Sequence, residues 1–389
     1  MYCRLLVIVT MALCSHAVVA SDTPLVSSKN YSYLYFENGY PTRFNHRRPQ
    51  SEANLVARAN PDLVFQTGYY SVVLDCDDIT LKGYDALLGS DYRTALNQDV
   101  TVVTEAGLTL KVTQGGVEYT CTGALVQATN NVDNVRLIES GQYVKRIDHL
   151  GLVFKDAQDN ELLVDDECRL EINAWPDRMT FVLDFTSETA NPITNTTVEV
   201  QSPDGVTHTA DSQTNKARLT LKPQEDAQLS TLNPSEYVTQ ATNLQSAAAL
   251  TVSFDPDTHA FNIDVPADSV KYPSAAGRVD EYLLEISNPL SEVTNIPLRF
   301  IQPTPRAITG TVMLLSDADS GRPLGIPVQI SKNWHGSSAN VHQGQWLRGS
   351  TMLTLRPGAT QRMKLRLVYG YWGGAGTVSH SQLSLIGYN

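Results

Sequence analysis

Residues 333 to 346, NWHGSSANVHQGQW, and 369 to 382, YGYWGGAGTVSHSQ, gather three of the chain's four tryptophans, Trp334, Trp346 and Trp372, beside His335, His342 and His380. An exposed indole stacks on the apolar face of a sugar ring, while neighbouring amides and imidazoles take its hydroxyls through directional hydrogen bonds. Asn333, Trp334, His335, His342, Gln345, Trp346, Trp372 and His380 therefore form the candidate ligand-binding set. His335 and His380 are also the imidazoles available as a general base, since neutral imidazole takes up a proton near neutrality. No catalytic set follows: the histidine separations match no metal pattern, and no local motif marks a carboxylate partner. Against a binding surface stands the ordinary fate of tryptophan, which is burial. Trp175 follows a regular strand and reads as core, whereas Trp334 and Trp346 sit in polar, glycine-containing sequence that reads as loop.

A second polar constellation is Asp317-x-Asp319-x-Gly321. Alternate carboxylates ahead of a glycine can direct oxygens at one calcium ion. The later oxygen ligands of an EF-type loop are absent, and Asp and Gly are ordinary turn residues. Asp317 and Asp319 thus read either as a polar hairpin turn or as a structural calcium site; no other cofactor is expected. The chain has no Gly-x-Ser-x-Gly elbow, His-Glu-x-x-His, phosphate-binding loop or dinucleotide fingerprint, so those enzyme classes lose their sequence argument. A glycosidase would need two carboxylates across a cleft. The 41 acidic residues carry no signature that nominates such a pair.

The elements that must hold these residues are strands. Short apolar alternations bounded by Gly, Asn, Asp and Pro recur along the chain, among them YYSVVLD (69–75), LTLKVT (108–113), HLGLVFKD (149–156), CRLEINAW (168–175), RMTFVLDF (178–185), EYLLEIS (281–287) and MKLRLVY (363–369). Their Val, Leu, Thr and aromatic content suits a half-buried pleated face, and the spacing predicts an all-β, antiparallel sandwich or supersandwich. Turns are predicted at DAQDN (156–160), at the Trp-Pro-Asp corner of AWPDRMT (174–180), and at Asp255-Pro256-Asp257. Helix is plausible only at 51–59 and 241–250. Residues 222–240 lose the alternation and mark a linker or a long crossover. The expected organisation is a leader at 1–20, an irregular arm at 21–60, and β units at 61–225 and 226–389, either adjoining or fused into one supersandwich. Gly373-Gly374-Ala375-Gly376 reads as a hairpin connection between MKLRLVY and SQLSLIGY, with Tyr369 in the core and Trp372 and His380 at the loop margins.

The first residues, MYCRLLVIVTMALCSHAVVASD, have the charged, apolar and small-residue layout of a secretory signal peptide. No later apolar run has spanning length, so the mature chain is expected outside the cytoplasm, secreted or periplasmic, without membrane insertion. A formal net charge of -12 with no basic block argues against nucleic acid as a partner. Cys76, Cys121 and Cys168 remain after the leader, which in an oxidising compartment predicts one disulfide and one thiol, with three pairings open. The sequons at Asn30 and Asn195 are glycan acceptors only in a eukaryotic secretory route.

The runs GIPVQISKNWH (325–335), Trp372-Gly373-Gly374 and SHSQLSL (379–385), with SGQYVKRIDHLGLVFKD (140–156) and AWPDRMTFVLDF (174–185), resemble a family of large, secreted, β-rich microbial proteins that are uncharacterised. The resemblance covers most of the mature chain and implies no reaction and no catalytic residues. It also implies that relatives continue past SHSQLSL, so this chain reads as a shortened member. The sequence-based expectation is a secreted β-sandwich protein that recognises an extracellular polysaccharide or glycan through the loops at 334–380. The alternatives are a carbohydrate-active hydrolase or lyase, and a non-catalytic structural or adhesive surface protein.

Overall fold

A computed structural model describes residues 32–36, 63–75, 78–86, 107–124, 135–141, 143–162, 168–185, 192–201, 206–221, 233–266, 279–302, 310–332, 347–370 and 381–384. Apart from one short helix, the elements among these residues are strands, as the alternation predicts. In chain order the first are β1 (Ser32–Phe36), β2 (Leu63–Thr67), β3 (Tyr70–Asp75) and β4 (Thr80–Ala86), which form one antiparallel sheet. β1 corrects the irregular arm: the SYLYF run within 21–60 has strand-forming residues and pairs with β2.

Next come β5 (Gly107–Gln114), β6 (Val117–Ala124), β7 (Val135–Ser140), β8 (Lys145–Leu150), β9 (Leu152–Lys155) and β10 (Glu161–Leu162). They are followed by β11 (Arg169–Trp175), β12 (Arg178–Asp184), β13 (Ile193–Gln201), β14 (Thr207–Ser212) and β15 (Lys216–Leu221). These strands divide between a sheet ordered β10-β9-β6-β5-β13-β14 and a sheet ordered β15-β12-β11-β8-β7. HLGLVFKD, read as one run, is two strands. Gly151, at φ 68°, turns the chain from β8 in one sheet to β9 in the other, a conformation that glycine adopts without a Cβ penalty.

The second half contains α1 (Pro234–Tyr237), β16 (Val238–Asn243), β17 (Val252–Asp255), β18 (Ala260–Asp264), β19 (Val279–Ser287), β20 (Thr294–Gln302) and β21 (Gly310–Asp317). β22 (Val328–Lys332), β23 (Leu347–Leu355), β24 (Thr360–Gly370) and β25 (Ser381–Ser384) complete it. Their sheets run β16-β19-β24-β21 and β17-β18-β20-β23-β22-β25, with β18 and β20 parallel. The stretch 241–250 is the end of β16 and a turn, not a helix: Asn243 Oδ1 accepts from the N–H groups of Gln245 and Ser246 and reverses the chain. The hairpin at 253–265 and the two-residue Pro176-Asp177 corner between β11 and β12 form where the turn residues predict them.

No sheet mixes described strands from the two sides of 222–232. One apolar cluster runs from Leu63 to Leu221 and a second from Tyr237 to Leu367. A third, formed by Tyr143, Val144, Trp175, Ala260 and Met352, joins the halves. Its members lie on the β7–β8 turn, β11, β18 and β23, so the β11-containing sheet and the β20-containing sheet face one another. Their central strands, β11 and β12 in one sheet and β20 and β23 in the other, are therefore buried on both faces. The half-buried pleat expected of CRLEINAW is replaced by a strand in which Glu171 is 2% exposed and Asn173 and Trp175 are 0% exposed.

Candidate functional site

The predicted ligand-binding residues Asn333, Trp334, His335, His342, Gln345, Trp346, Trp372 and His380 lie outside the described residues, but the strands that carry them do not. β22 ends at Lys332, which is opposite Leu347, the first residue of β23. Ser331 of β22 is opposite Ser381, the first residue of β25. The two ends of 333–346 and the C-terminal end of 371–380 are therefore rooted side by side on three adjacent strands. Gln302 of β20 is also opposite Leu347, and Gly310 of β21 is opposite Gly370 in the facing sheet, so 303–309 and the start of 371–380 leave from the same end of the sandwich.

This arrangement corrects the hairpin reading of Gly373 to Gly376. β24 pairs with β19 and β21, whereas β25 pairs with β22, so 371–380 crosses from one sheet to the other. Alternation identified both strands but carries no information about which sheet each joins. Tyr369 is on β24 opposite Thr311.

Asp317 and Asp319 are at the other end. β21 runs from Gly310 to Asp317, about 23 Å at the usual rise of a strand, and separates this loop from the roots of the aromatic segments. Asp317 Oδ1 accepts from the Ser320 hydroxyl at 2.5 Å and from the Ser320 N–H at 2.7 Å, and these bonds hold its carboxyl below the usual range. Asp319 Oδ1 pairs with the Arg362 guanidinium at 2.7 Å. Each carboxylate already has a protein donor, and among the described residues no group of three or more His, Cys, Asp or Glu gathers as metal ligands.

Beneath the rooted end lies a feature that sequence reading missed, a set of charges between the facing sheets, fully buried at Glu139 and Arg299 and one-third exposed at Arg169. Arg299 Nη2 donates to Glu139 Oε2 at 2.6 Å, with side chains 1% and 0% exposed, and Arg348 Nη1 is 3.9 Å from the same oxygen. Arg146 Nη2 donates to Glu171 Oε2 at 2.5 Å, and Arg169 lies within 4 Å of Asp148, Glu171 and Asp184. Burial pushes the Glu139 carboxyl up, but Arg299, Arg348 and Arg146 outweigh it and hold the group below the ordinary carboxylate range. Burial, with Arg299 alongside, brings the Arg348 guanidinium down to about 10. A buried carboxylate locked in its ionised form by guanidinium groups has neither the proton nor the access that a general acid needs. Its chemistry is that of a joint.

The opposite end of the same seam is also polar. Asp177 grips Arg178 through Nε and Nη2, both at 2.9 Å, and Arg178 donates on to His259 Nδ1 and to the Asn295 carbonyl, each at 3.0 Å. Trp175 Nε1 donates to the Thr258 carbonyl at 2.8 Å, so the tryptophan predicted as core is buried between the halves rather than inside one sandwich. The signal for this seam is the charge on alternate strand positions, Arg169 and Glu171 on β11 and Arg146 and Asp148 on β8. Period-2 alternation marks a polar face without saying whether water or a second sheet covers it.

The outer face of the β6-β5-β13-β14 region presents a shallow polar depression lined by Lys111, Glu118, Asn195, Thr197, Glu199 and Asp211 among others. Lys111 pairs with Glu118 at 3.2 Å, and Thr197 Oγ1 donates to Asp211 Oδ1 at 2.6 Å. It is a shallow polar sheet face with one ion pair and two further carboxylates, Glu199 and Asp211.

No protein-family model matches the chain, and no curated protein matches it. Among solved structures, the P. aeruginosa R1 pyocin fiber comprising C-terminal residues 323–701 aligns at 8% identity over 65% of this chain and 83% of that one, with a TM-score of 0.12. A likeness at that score carries no argument about this protein.

Proposed function

We propose that this protein is a secreted, non-catalytic β-sandwich protein that recognises an extracellular carbohydrate. The observation that carries the reading is the register at the end of the second sandwich, where Lys332 faces Leu347 and Ser331 faces Ser381. Two segments far apart in sequence, holding Trp334, Trp346 and Trp372 with His335, His342 and His380, thereby share one set of strand roots. Aromatic rings stack on sugar faces, and Asn333, Gln345 and the imidazoles supply directional bonds. The Glu139 carboxylate, buried and held ionised by Arg299, Arg348 and Arg146, does not serve as a general acid, which supports recognition over hydrolysis. The leader-like first 20 residues support the secreted location.

The test is a glycan array followed by titration calorimetry on the mature chain and on Trp334→Ala and Trp372→Ala. Binding that each substitution weakens, with melting temperature unchanged, is the expected result. Absence of binding across plant, algal and microbial polysaccharides, or release of reducing ends or unsaturated sugars from any of them, would overturn the reading. The second reading, a structural or adhesive surface protein, is favoured by the face-to-face stacking of two sandwiches across a buried ion pair and an apolar cluster.

A further inference from the structure

Cys121 is on β6 and Cys168 immediately precedes β11, so the two residues belong to the two different sheets of the first sandwich. Both face its interior. Cys168 is 4% exposed and belongs to the same apolar cluster as Leu170 and Ile172, and Cys121 packs against that cluster beside Tyr119. Their levels in the core match. Cys121 is opposite Phe154 on β9; Arg169 is opposite Asp184, so Cys168 is one step along, beside Phe185. The rings of Phe154 and Phe185 touch across the core with centroids 5.3 Å apart. Each cysteine is thus the in-sheet neighbour of one member of a ring pair that spans the two sheets. In this structure both are thiols.

We propose that Cys121 and Cys168 close a disulfide that staples the two sheets of the first sandwich, leaving Cys76 as the unpaired thiol. The inference selects one of the three pairings that the sequence leaves open. It rests on the secreted reading only for the supply of an oxidant. Two S–H bonds break and one S–S bond forms. The two electrons and two protons pass to the disulfide of an oxidant, either oxidised glutathione or the active-site disulfide of a thiol oxidoreductase, which leaves as two thiols. One cysteine attacks the oxidant to give a mixed disulfide, and the other displaces it.

The interior fixes when this happens. Burial pushes the Cys121 thiol up to about 11 and raises Cys168 as well, with Cys121 and Asp184 adding to the effect at Cys168. The attacking species is the thiolate, so a folded, reduced sandwich oxidises slowly and the bond forms while the sheets are still closing. A bridge between facing sheets at one level of the core is the same device that staples immunoglobulin sandwiches.

The experiment is refolding of the reduced, denatured mature chain in a glutathione redox buffer, followed by alkylation and non-reducing peptide mapping. The expected product is a Cys121–Cys168 cross-linked peptide two hydrogens lighter than its parts, with Cys76 alkylated. The oxidised protein should melt about 10 °C above the reduced one, as expected for a bridge closing a loop of this size. Cys76→Ala should retain both the cross-link and the melting temperature, while Cys121→Ala should abolish the difference between oxidised and reduced samples. A cross-link that includes Cys76, or alkylation of both Cys121 and Cys168 after refolding, would overturn the pairing. Mapping is done on the unaltered chain, so a cysteine variant that fails to fold does not weaken the test. A cross-link formed in the refolding buffer but absent from protein recovered from producing cells upholds the pairing and counts against the secreted location instead.

Discussion

Gln329 Oε1 accepts hydrogen bonds from the backbone N–H groups of both Tyr143 and Val144 at 2.9 Å, and its Nε2 donates back to the Val144 carbonyl at 3.2 Å. One side-chain amide thus stands in for a neighbouring strand and ties the β7–β8 turn to β22. The fit is tight, because a Cβ on Gly141 would come within 2.0 Å of Gln329 Cδ. Removing the amide in Gln329→Ala leaves two buried N–H groups without a partner, at a cost of about 2–4 kcal/mol. Gly141→Ala pushes the amide out of place and should cost about 1–3 kcal/mol. Urea unfolding of the two single variants and the double variant checks this. The double variant should lose less than the sum of the singles, because both act on the same contact.

Glu139 and Arg299 make a different kind of link across the seam. Truncating one partner strands the other charge in the interior, so Glu139→Gln and Arg299→Met should each lose about 3–5 kcal/mol. An apolar replacement of both should recover most of that loss. The low Glu139 pKa gives a second readout. A carboxyl depressed in the folded state contributes stability that is present above its unfolded value, about 4.3, and is lost as pH falls through the folded value. Urea midpoints should therefore fall least on acidification in the apolar double variant.

Lys145 contributes with the opposite sign. Its ammonium donates to the Gly141 carbonyl, and burial brings it down to about 7. In the unfolded chain it stays protonated to about pH 10.4. Between the two values the unfolded chain binds one more proton than the folded protein, so stability rises with pH across that window, by at most about 1.4 kcal/mol per pH unit. Below about 7 both states are protonated and this contribution is absent. Lys145→Met should flatten the rise in urea midpoint between neutral and mildly alkaline pH. A slope equal to that of the unaltered protein would show that the folded lysine keeps its proton.

Most strands were legible because they have at least one apolar face: Leu170, Ile172 and Ala174 on β11, and Leu284 and Ile286 on β19, announce themselves by period, whereas β14, THTADS, has none and was not read. Turns at Pro176-Asp177 and at 255–257 were legible because their chemistry is local. The partner of a polar face was not. Glu171, Asn173 and the Trp175 indole N–H look the same in sequence whether water or a second sandwich lies over them, and here the Asn173 amide donates to the Asp257 carbonyl and the Trp175 indole to the Thr258 carbonyl of the other half. Membership of a sheet is likewise non-local, and this is why β24 and β25 read as a hairpin although they pair with different strands. The aromatic segments were legible as composition, and the structure adds that their roots adjoin.

Tryptophans in the two settings should separate stability from recognition. Trp175 is fully buried, and its indole N–H bonds the Thr258 carbonyl across the seam. Trp175→Phe removes that bond and part of the filling volume, so thermal unfolding should show a loss of about 2 kcal/mol with glycan affinity unchanged. Trp334→Ala and Trp372→Ala should do the reverse, lowering affinity for an array-selected glycan by about 10-fold each while the melting temperature stays put. The double variant tests whether the adjoining roots make one surface. Two rings on one ligand lose binding cooperatively, so the combined loss departs from the sum of the two, whereas two independent patches give additive losses.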